Sequence, residues 1–287
     1  MNEISYFAPT SVEEAVNLLA EHRGKITILA GGTDLVSKIN YYKLKPQILM
    51  YIGGLGLNYI KEKVVKMRRR DLLIGATTST GEIAASTLLQ QKADALAEAA
   101  RLSGTEAVRT TATIGGNLAN ASPAADLVTP LLVMDAEITL TGPSGQRVLP
   151  VGEFFTGPGK TVLEADELIT QIQMPVPERK TTFLKLGRRK AMTLSVVNVA
   201  VRLDVDGGGR CKDVRIAMGA MAPIPMRCTK AEQMIKGQVL DRESIAGCAS
   251  AAVAETGPID DQRATAWYRR KVATHLLLRA LTNAAGL

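Results

Sequence analysis

The sequence predicts an α+β protein that ends in an antiparallel sheet covered by helices. Three observations carry this. The first half alternates segments of helical period with short β-branched runs. Between residues 168 and 218 strand-like runs follow one another with no helix-period segment between them, and strands joined without long crossovers pair antiparallel. Beyond residue 230 the chain reads as helix to its end.

The elements follow in order. Ser11 and Glu14 make a capping-box pattern, and Val12, Ala15, Val16 and Leu19 form one apolar stripe, giving a helix over 11–22. A buried strand over 26–30 runs into Gly31-Gly32-Thr33-Asp34 and a short helix, and 47–52 is a second strand. Segments 59–67 and 72–76 flank a charged turn at 68–71. Ser79 and Glu82 repeat the capping box, opening a helix through residue 85. Residues 93–102 form an alanine-faced helix, and 126–134 a helix with Leu127, Leu131 and Met134 on one side. Segments 137–140 and 146–149 bracket the hairpin signal Gly142-Pro143-Ser144-Gly145. The strand run comprises 168–174, 182–186, 196–203 and 214–218, with Gly207-Gly208-Gly209 turning between the last two. Helices close the chain at 231–235, 241–255 and 265–284, the last with Val272, Ala273, Leu276, Leu277, Ala280, Leu281 and Ala284 on one face. Domains are expected at 1–55, 56–175 and 176–287.

Composition narrows the function classes. The 287 residues are 46% hydrophobic and 22% charged, as in soluble globular proteins. MNEISYFAPTS has neither a basic nor an apolar stretch, and no apolar run approaches the ~18 residues of a membrane span. A cytoplasmic protein is expected, with no secretory signal and no membrane span. The net charge of +7 is spread along the chain and aromatics are only 4%, which argues against a nucleic-acid partner. Arg68-Arg69-Arg70 and Arg188-Arg189-Lys190 are the dense basic clusters; each is a solvated strand end or a docking patch for an acidic partner or anionic ligand. Cys211, Cys228 and Cys248 stand alone, so no iron–sulfur or zinc spacing exists and each reads as a small buried hydrophobe in a reducing compartment. With only His22 and His275, neither a histidine metal site nor a histidine-dependent triad is expected.

The chemistry-bearing segments are two glycine loops. In the first, a strand delivers Gly31-Gly32 directly before a helix start. Glycine allows close backbone approach, and free N–H groups at a helix start bind anions. Thr33 adds a hydroxyl, whereas Asp34 would repel a phosphate and suits capping the N–H of Val36 or Ser37. A plain tight turn explains this pattern equally. The second, 113–126, carries Gly115-Gly116, Asn117, Asn120, Ser122, Pro123 and Asp126, without charge until its end. It reads as a turn-rich connection with Asp126 as a helix cap, or as a polar cradle for a large ligand with phosphates and a hydrogen-bonding ring. Neither loop fits a Rossmann or P-loop pattern.

Five segments stand in order: AGGTDLV at 30–36, ATIGGNLANASPAAD at 112–126, FFTGPGKTVLEADELI at 154–169, FLKLGRRKAM at 183–192 and VRIAMGAMAPIPMR at 214–227. In these the chain resembles the FAD-binding subunits of the xanthine dehydrogenase and carbon monoxide dehydrogenase family of molybdenum hydroxylases, over nearly its whole length. Its second half looks closer to the bacterial xanthine dehydrogenase type. The resemblance implies a p-cresol methylhydroxylase/vanillyl-alcohol oxidase-like FAD-binding fold. It implies that Ile28, Leu29, Ala30, Gly31, Gly32, Thr33, Asp34 and Leu35, with the stretch from Thr113 through Gly115 and Gly116 to Asn117, embrace the FAD pyrophosphate. Ser103, where animal relatives carry an aromatic, and Ser122 would lie along the ligand, and Asp126 would accept from its hydroxyls. Ile169 would pack near the isoalloxazine and Lys185 would reach the flavin. Molybdopterin would sit on a large partner subunit and two two-iron two-sulfur clusters on a small one. Electrons would pass from the clusters to FAD and on to NAD, a quinone, ferredoxin or oxygen. Two other readings remain open at this point. One is a self-contained FAD-dependent oxidoreductase, for which Tyr268 and His275 are the few acid–base candidates; the other is a non-catalytic nucleotide-binding module.

Overall fold

The computed structural model describes residues 4–66, 69–177, 181–190 and 192–287. The chain opens with β1 (Ser5–Phe7), α1 (Val12–Glu21), β2 (Ile26–Leu29), α2 (Leu35–Asn40) and β3 (Ile48–Tyr51). The strands form a sheet of order β1-β3-β2, both pairings parallel, with α1 and α2 as the connections that parallel strands require. Ser11 accepts the Glu14 N–H at 3.1 Å, but the Glu14 carboxylate takes the Thr10 N–H at 2.8 Å, so the expected box closes one residue early. The stripe of α1 buries Ala15, Val16 and Leu19 against Met50, Ile52 and Leu168.

The middle of the chain adds β4 (Ile60–Lys66), β5 (Arg69–Gly75), α3 (Thr80–Ala85), α4 (Thr87–Lys92), α5 (Asp94–Arg101), α6 (Glu106–Arg109), α7 (Ile114–Ala119) and α8 (Val128–Val133). It continues with β6 (Glu137–Gly142), β7 (Gly145–Pro150), α9 (Val151–Phe154), the short pair β8 (Phe155–Gly157) and β9 (Lys160–Thr161), and β10 (Leu168–Pro175). Five strands make an antiparallel sheet of order β4-β5-β10-β6-β7. This corrects the reading of 168–174 as the first strand of the C-terminal run. Leu168, Ile169, Thr170, Ile172 and Met174 are buried, as a central strand requires, and no local signal separates such a strand from its sequence neighbours. The expected turn at 68–71 also differs. Arg68 lies outside the described residues, and the strand begins at Arg69 rather than at 72. Asp71, although charged, is fully buried there, held by Arg69 at 3.0 Å and Gln173 at 2.6 Å. The Ser79–Glu82 box forms with both its hydrogen bonds. The β6–β7 hairpin turns on Pro143 and Ser144, with Gly142 opposite Gly145 at φ 113°.

The last unit is β11 (Thr181–Gly187), β12 (Ser195–Val205), β13 (Cys211–Gly219) and β14 (Met226–Arg227), an antiparallel meander, then α10 (Thr229–Ile235), α11 (Arg242–Ala254) and α12 (Ala266–Ala285). Alternate residues of its long strands face opposite sides. Val199, Val201, Ile216 and Met218 pack under the C-terminal helices, whereas Phe183, Ala200 and Ala217 join the middle core. The sheet is therefore covered on both sides, by α12 and by α5 and α8. Cys211, Cys228 and Cys248 are all buried in this core. Burial pushes the Cys211 thiol up to about 11 and Cys248 to about 12, which makes both poor nucleophiles. Among the described residues no helix is long and apolar enough to cross a membrane.

One buried cation fastens α12. The Arg269 side chain, 3% exposed, donates to the carbonyls of Val196 (2.7 Å) and Ala220 (3.1 Å) and to Asp261 (2.6 Å). Partial burial raises the Asp261 pKa, but the N–H groups of Arg263 and Ala264 and the Arg269 guanidinium outweigh it and hold the carboxyl at about 2. A depressed carboxyl contributes stability above its ordinary 3.8 and loses it as pH falls toward 2. We expect Asp261→Asn to be less stable than wild type at neutral pH. In urea melts that gap should narrow between about pH 4 and pH 2; a constant gap would contradict this assignment.

Candidate functional site

A cleft of about 480 Å³ lies where the first sheet meets the middle one, closed on one side by residues of 103–120. Its floor is set by the first glycine loop. β2 ends at Leu29, and the backbone of Gly31 lies against the 111–112 peptide, where an added Cβ would come within 1.7 Å of the Thr111 carbonyl oxygen. Gly32 has φ 70°, the left-handed region that favours glycine. The five successive N–H groups from Gly31 to Leu35 form no hydrogen bond with any other described residue. Successive free amides beside a positive-φ glycine make an anion-binding concavity.

Asp34 does not cap α2 as the sequence suggested. Its side chain makes no bond to the helix N–H groups and instead pairs with Lys38 one turn on, at 2.5 Å. An i, i+4 carboxylate–ammonium pair competes well with a cap when the cap residue itself is helical, as Asp34 is (φ −96°, ψ −46°).

The second glycine segment is a helix start, not an open loop. Thr113 caps α7 through a 3.0 Å bond from the Gly116 N–H. Ile114 donates to Thr78 (3.0 Å), Gly115 to Ala76 (2.9 Å) and Asn117 to the Thr113 carbonyl (2.9 Å). All four N-terminal amides are therefore used internally. Gly115 serves close packing, since a Cβ there would meet the Ala76 carbonyl oxygen at 2.7 Å. What this segment offers the cleft is a side chain. Asn117 Oδ1 is buried and without a partner among the described residues, an arrangement that costs free energy unless a ligand satisfies it.

The structure brings most of the sequence-derived residues together. Ile28, Ala30, Gly31, Gly32, Thr33, Asp34 and Leu35 line the cleft, with Ser103, Thr113, Gly115, Gly116, Asn117 and Ile169 opposite or beside them. Leu29, Ser122, Asp126 and Lys185 stand outside the lining. The Ser122 hydroxyl accepts the Ala124 N–H (3.3 Å). Asp126, expected as an alternative to cap the helix after it, precedes α8 by two residues and is instead the centre of a buried network. It accepts from Lys185 Nζ (2.5 Å), Ser195 Oγ (2.5 Å) and Asn198 Nδ2 (3.1 Å). Burial raises its pKa, and these three partners oppose that rise. Lys185 Nζ also donates to the Leu102 carbonyl (3.2 Å), next to the cleft residue Ser103.

Asn120, named in the second segment, lines the cleft, and sequence reasoning missed Lys38 and Leu194, which also line it. For Lys38 a signal existed, its position four residues after Asp34; for Leu194, which comes from the C-terminal unit, none did. Leu194 also borders a groove with Arg188 and Arg189, whose guanidiniums donate to the carbonyls of Gln262 and Met192. Among the described residues no cluster of acidic, histidine or cysteine side chains can hold a metal.

Two family models match the chain. Residues 2–177 match the FAD binding domain in molybdopterin dehydrogenase, and residues 182–284 match the CO dehydrogenase flavoprotein C-terminal domain. The glyceraldehyde dehydrogenase medium chain of Sulfolobus acidocaldarius is 31% identical, over 99% of both chains. The xanthine dehydrogenase FAD-binding subunit of Escherichia coli is 28% identical over 98% of this chain and 95% of its own. A chain of carbon monoxide dehydrogenase from Hydrogenophaga pseudoflava, in a form lacking the Mo-pyranopterin moiety, superposes with a TM-score of 0.92 at 32% identity. That match covers 99% of this chain and 97% of that one. With both family models in order and the fold shared end to end, the chain belongs to the FAD-binding subunits of the molybdopterin-dependent dehydrogenases.

Proposed function

We propose that this chain is the electron-transfer subunit of a molybdenum hydroxylase complex. In this reading a small partner with two two-iron two-sulfur clusters reduces its FAD, a large partner carries molybdopterin and oxidises the substrate, and NAD or another acceptor takes the electrons away. Support comes from the relatives, which are medium chains or FAD subunits of such dehydrogenases, and from a cysteine pattern that leaves clusters to another chain.

The observation that carries the reading is the pairing, in one cleft, of five N–H groups and a buried Asn117 Oδ1 that have no partner among the described residues. These residues fit a ligand with an anionic middle and hydrogen-bonding ends. Bound FAD supplies the redox chemistry, because its isoalloxazine exchanges electrons singly or in pairs. The chain's own residues bind and orient it. Gly31 to Leu35 present N–H donors to phosphate oxygens, while Ile28, Ile52, Leu168, Ile169 and Leu194 wall the cleft with apolar surface and limit water. Thr113, Asn117 and Ser103 would lie along the ligand, whereas Ser122, outside the lining, would meet it only beyond the cleft. Asp126 would accept from FAD hydroxyls and Lys185 would approach the flavin; both stand outside the lining and hold each other, so either would have to share its present hydrogen bonds to do so.

The test is the visible spectrum of the purified chain, followed by identification of any released flavin. We expect flavin bands and FAD. Substrate should reduce that flavin only when both partner chains are present. Reduction by substrate in the lone chain would favour a self-contained oxidoreductase, and a colourless chain that takes up no FAD would defeat the reading.

A further inference from the structure

Asp34 and Lys38 are the charged side chains lining the cleft, so its described lining has no net charge. The diphosphate of FAD is a dianion. Five backbone N–H groups can hydrogen-bond it, but none brings a full positive charge. Lys38 is the one cation in the described lining, and it is engaged twice. Its Nζ lies 2.5 Å from Asp34 Oδ2 and 3.2 Å from Asn120 Oδ1. Asn120 ends α7, on the opposite side of the cleft from α2, so the Lys38 side chain spans from one glycine segment to the other. Both charged groups are about half exposed, so they can reorient without disturbing the core.

We propose that Lys38 is the pyrophosphate-neutralising residue of this chain and that Asp34 sets how tightly it acts. The inference rests on the FAD reading above. When the dianion enters, it competes with Asp34 for the ammonium. Lys38 then moves from the Asp34–Asn120 bridge onto phosphate oxygens already held by the Gly31–Leu35 amides. Asp34 works against binding twice, by holding the ammonium and by repelling the phosphate, so the pair determines cofactor affinity by opposition. Asn120 holds Lys38 across the open cleft, and its loss frees the ammonium for the ligand. A lysine suits this task, since it acts as a mobile point charge on a flexible stem.

The experiment titrates the flavin-free full chain with FAD, followed by quenching of flavin fluorescence, at low and at high salt. Lys38→Met should weaken binding by about tenfold, the value of one charge-assisted hydrogen bond, and should flatten its salt dependence. Lys38→Arg should keep both affinity and salt dependence. Asp34→Asn should tighten binding at low salt, and Asn120→Ala should tighten rather than weaken it. Lys38→Met that binds as wild type overturns the inference and leaves the FAD reading intact. Asn120→Ala that loses as much as Lys38→Met also overturns it, because the bridge would then be a structural tie. A wild-type chain that binds no FAD overturns both.

Discussion

Gly31→Val should yield a chain that purifies without flavin. Even the first side-chain carbon at this position would fall 1.7 Å from the Thr111 carbonyl oxygen, a backbone atom that no rotamer change can move. Relief requires the 111–113 segment to separate from the first loop. That segment is fixed in turn by the bonds of Thr80 to Ala112 (2.8 Å) and of Ile114 to Thr78 (3.0 Å), so strain spreads into the turn after β5. The amides of Gly31–Leu35 and the Asn117 side chain would then no longer face one ligand. We expect FAD affinity to fall by more than about a hundredfold, and stability by about 1–3 kcal/mol, as for overpacking elsewhere. The ratio of flavin to protein absorbance and a thermal melt check both. Gly207→Ala is the control: nothing lies within 4 Å of a Cβ there, so it should keep its colour. A yellow Gly31→Val chain would mean that the contact between the two glycine segments does not shape the site.

Lys185→Met should be strongly destabilising. Lys185 and Asp126 are 5% and 6% exposed and 2.5 Å apart. Removing the cation leaves a buried carboxylate with only Ser195 and Asn198, and an uncompensated buried charge typically costs about 3–5 kcal/mol. At this size the melting temperature should drop by roughly 10 °C. The pair ties the segment before α8 to β11, while Asn198 extends the tie by accepting from Thr129 at 2.9 Å. The middle and C-terminal units should therefore loosen together. Asp126→Asn in the Lys185→Met background should restore much of the loss, because no charge is then stranded. Simple additivity of the two changes in a double-mutant cycle would show that they do not act as a pair.

Much of the fold was legible because its signals are local. Helix starts were marked by Ser11 and Ser79, the hairpin by Gly142–Gly145, and α12 by its apolar stripe. What escaped depended on distant partners. Nothing within 168–174 says that β10 inserts between β5 and β6. Asp71 reads as a turn residue until Gln173 arrives beside it. The site divides the same way. Gly31 and Gly32 stood out as a strand–glycine–helix pattern, whereas the helical state of 114–119 depends on Ala76 and Thr78 accepting its amides. A glycine pair with two asparagines reads as loop until those acceptors are in place.

The position of β10 also fixes an order of events during synthesis. Its partners β5 and β6 leave the ribosome long before it does and must wait, with their edges unpaired, until residues 168–175 emerge. The cleft waits with them, since its wall includes Ile169 and Leu194 while its floor begins at Ile28. At usual elongation rates, on the order of ten seconds separate the appearance of Gly31 from that of Ile169. The glycine loops therefore exist well before the pocket does. On the proposed reading, cofactor capture belongs to the late nascent chain or the released protein, at a stage when the central strand has closed the sheet and removed its two sticky edges together.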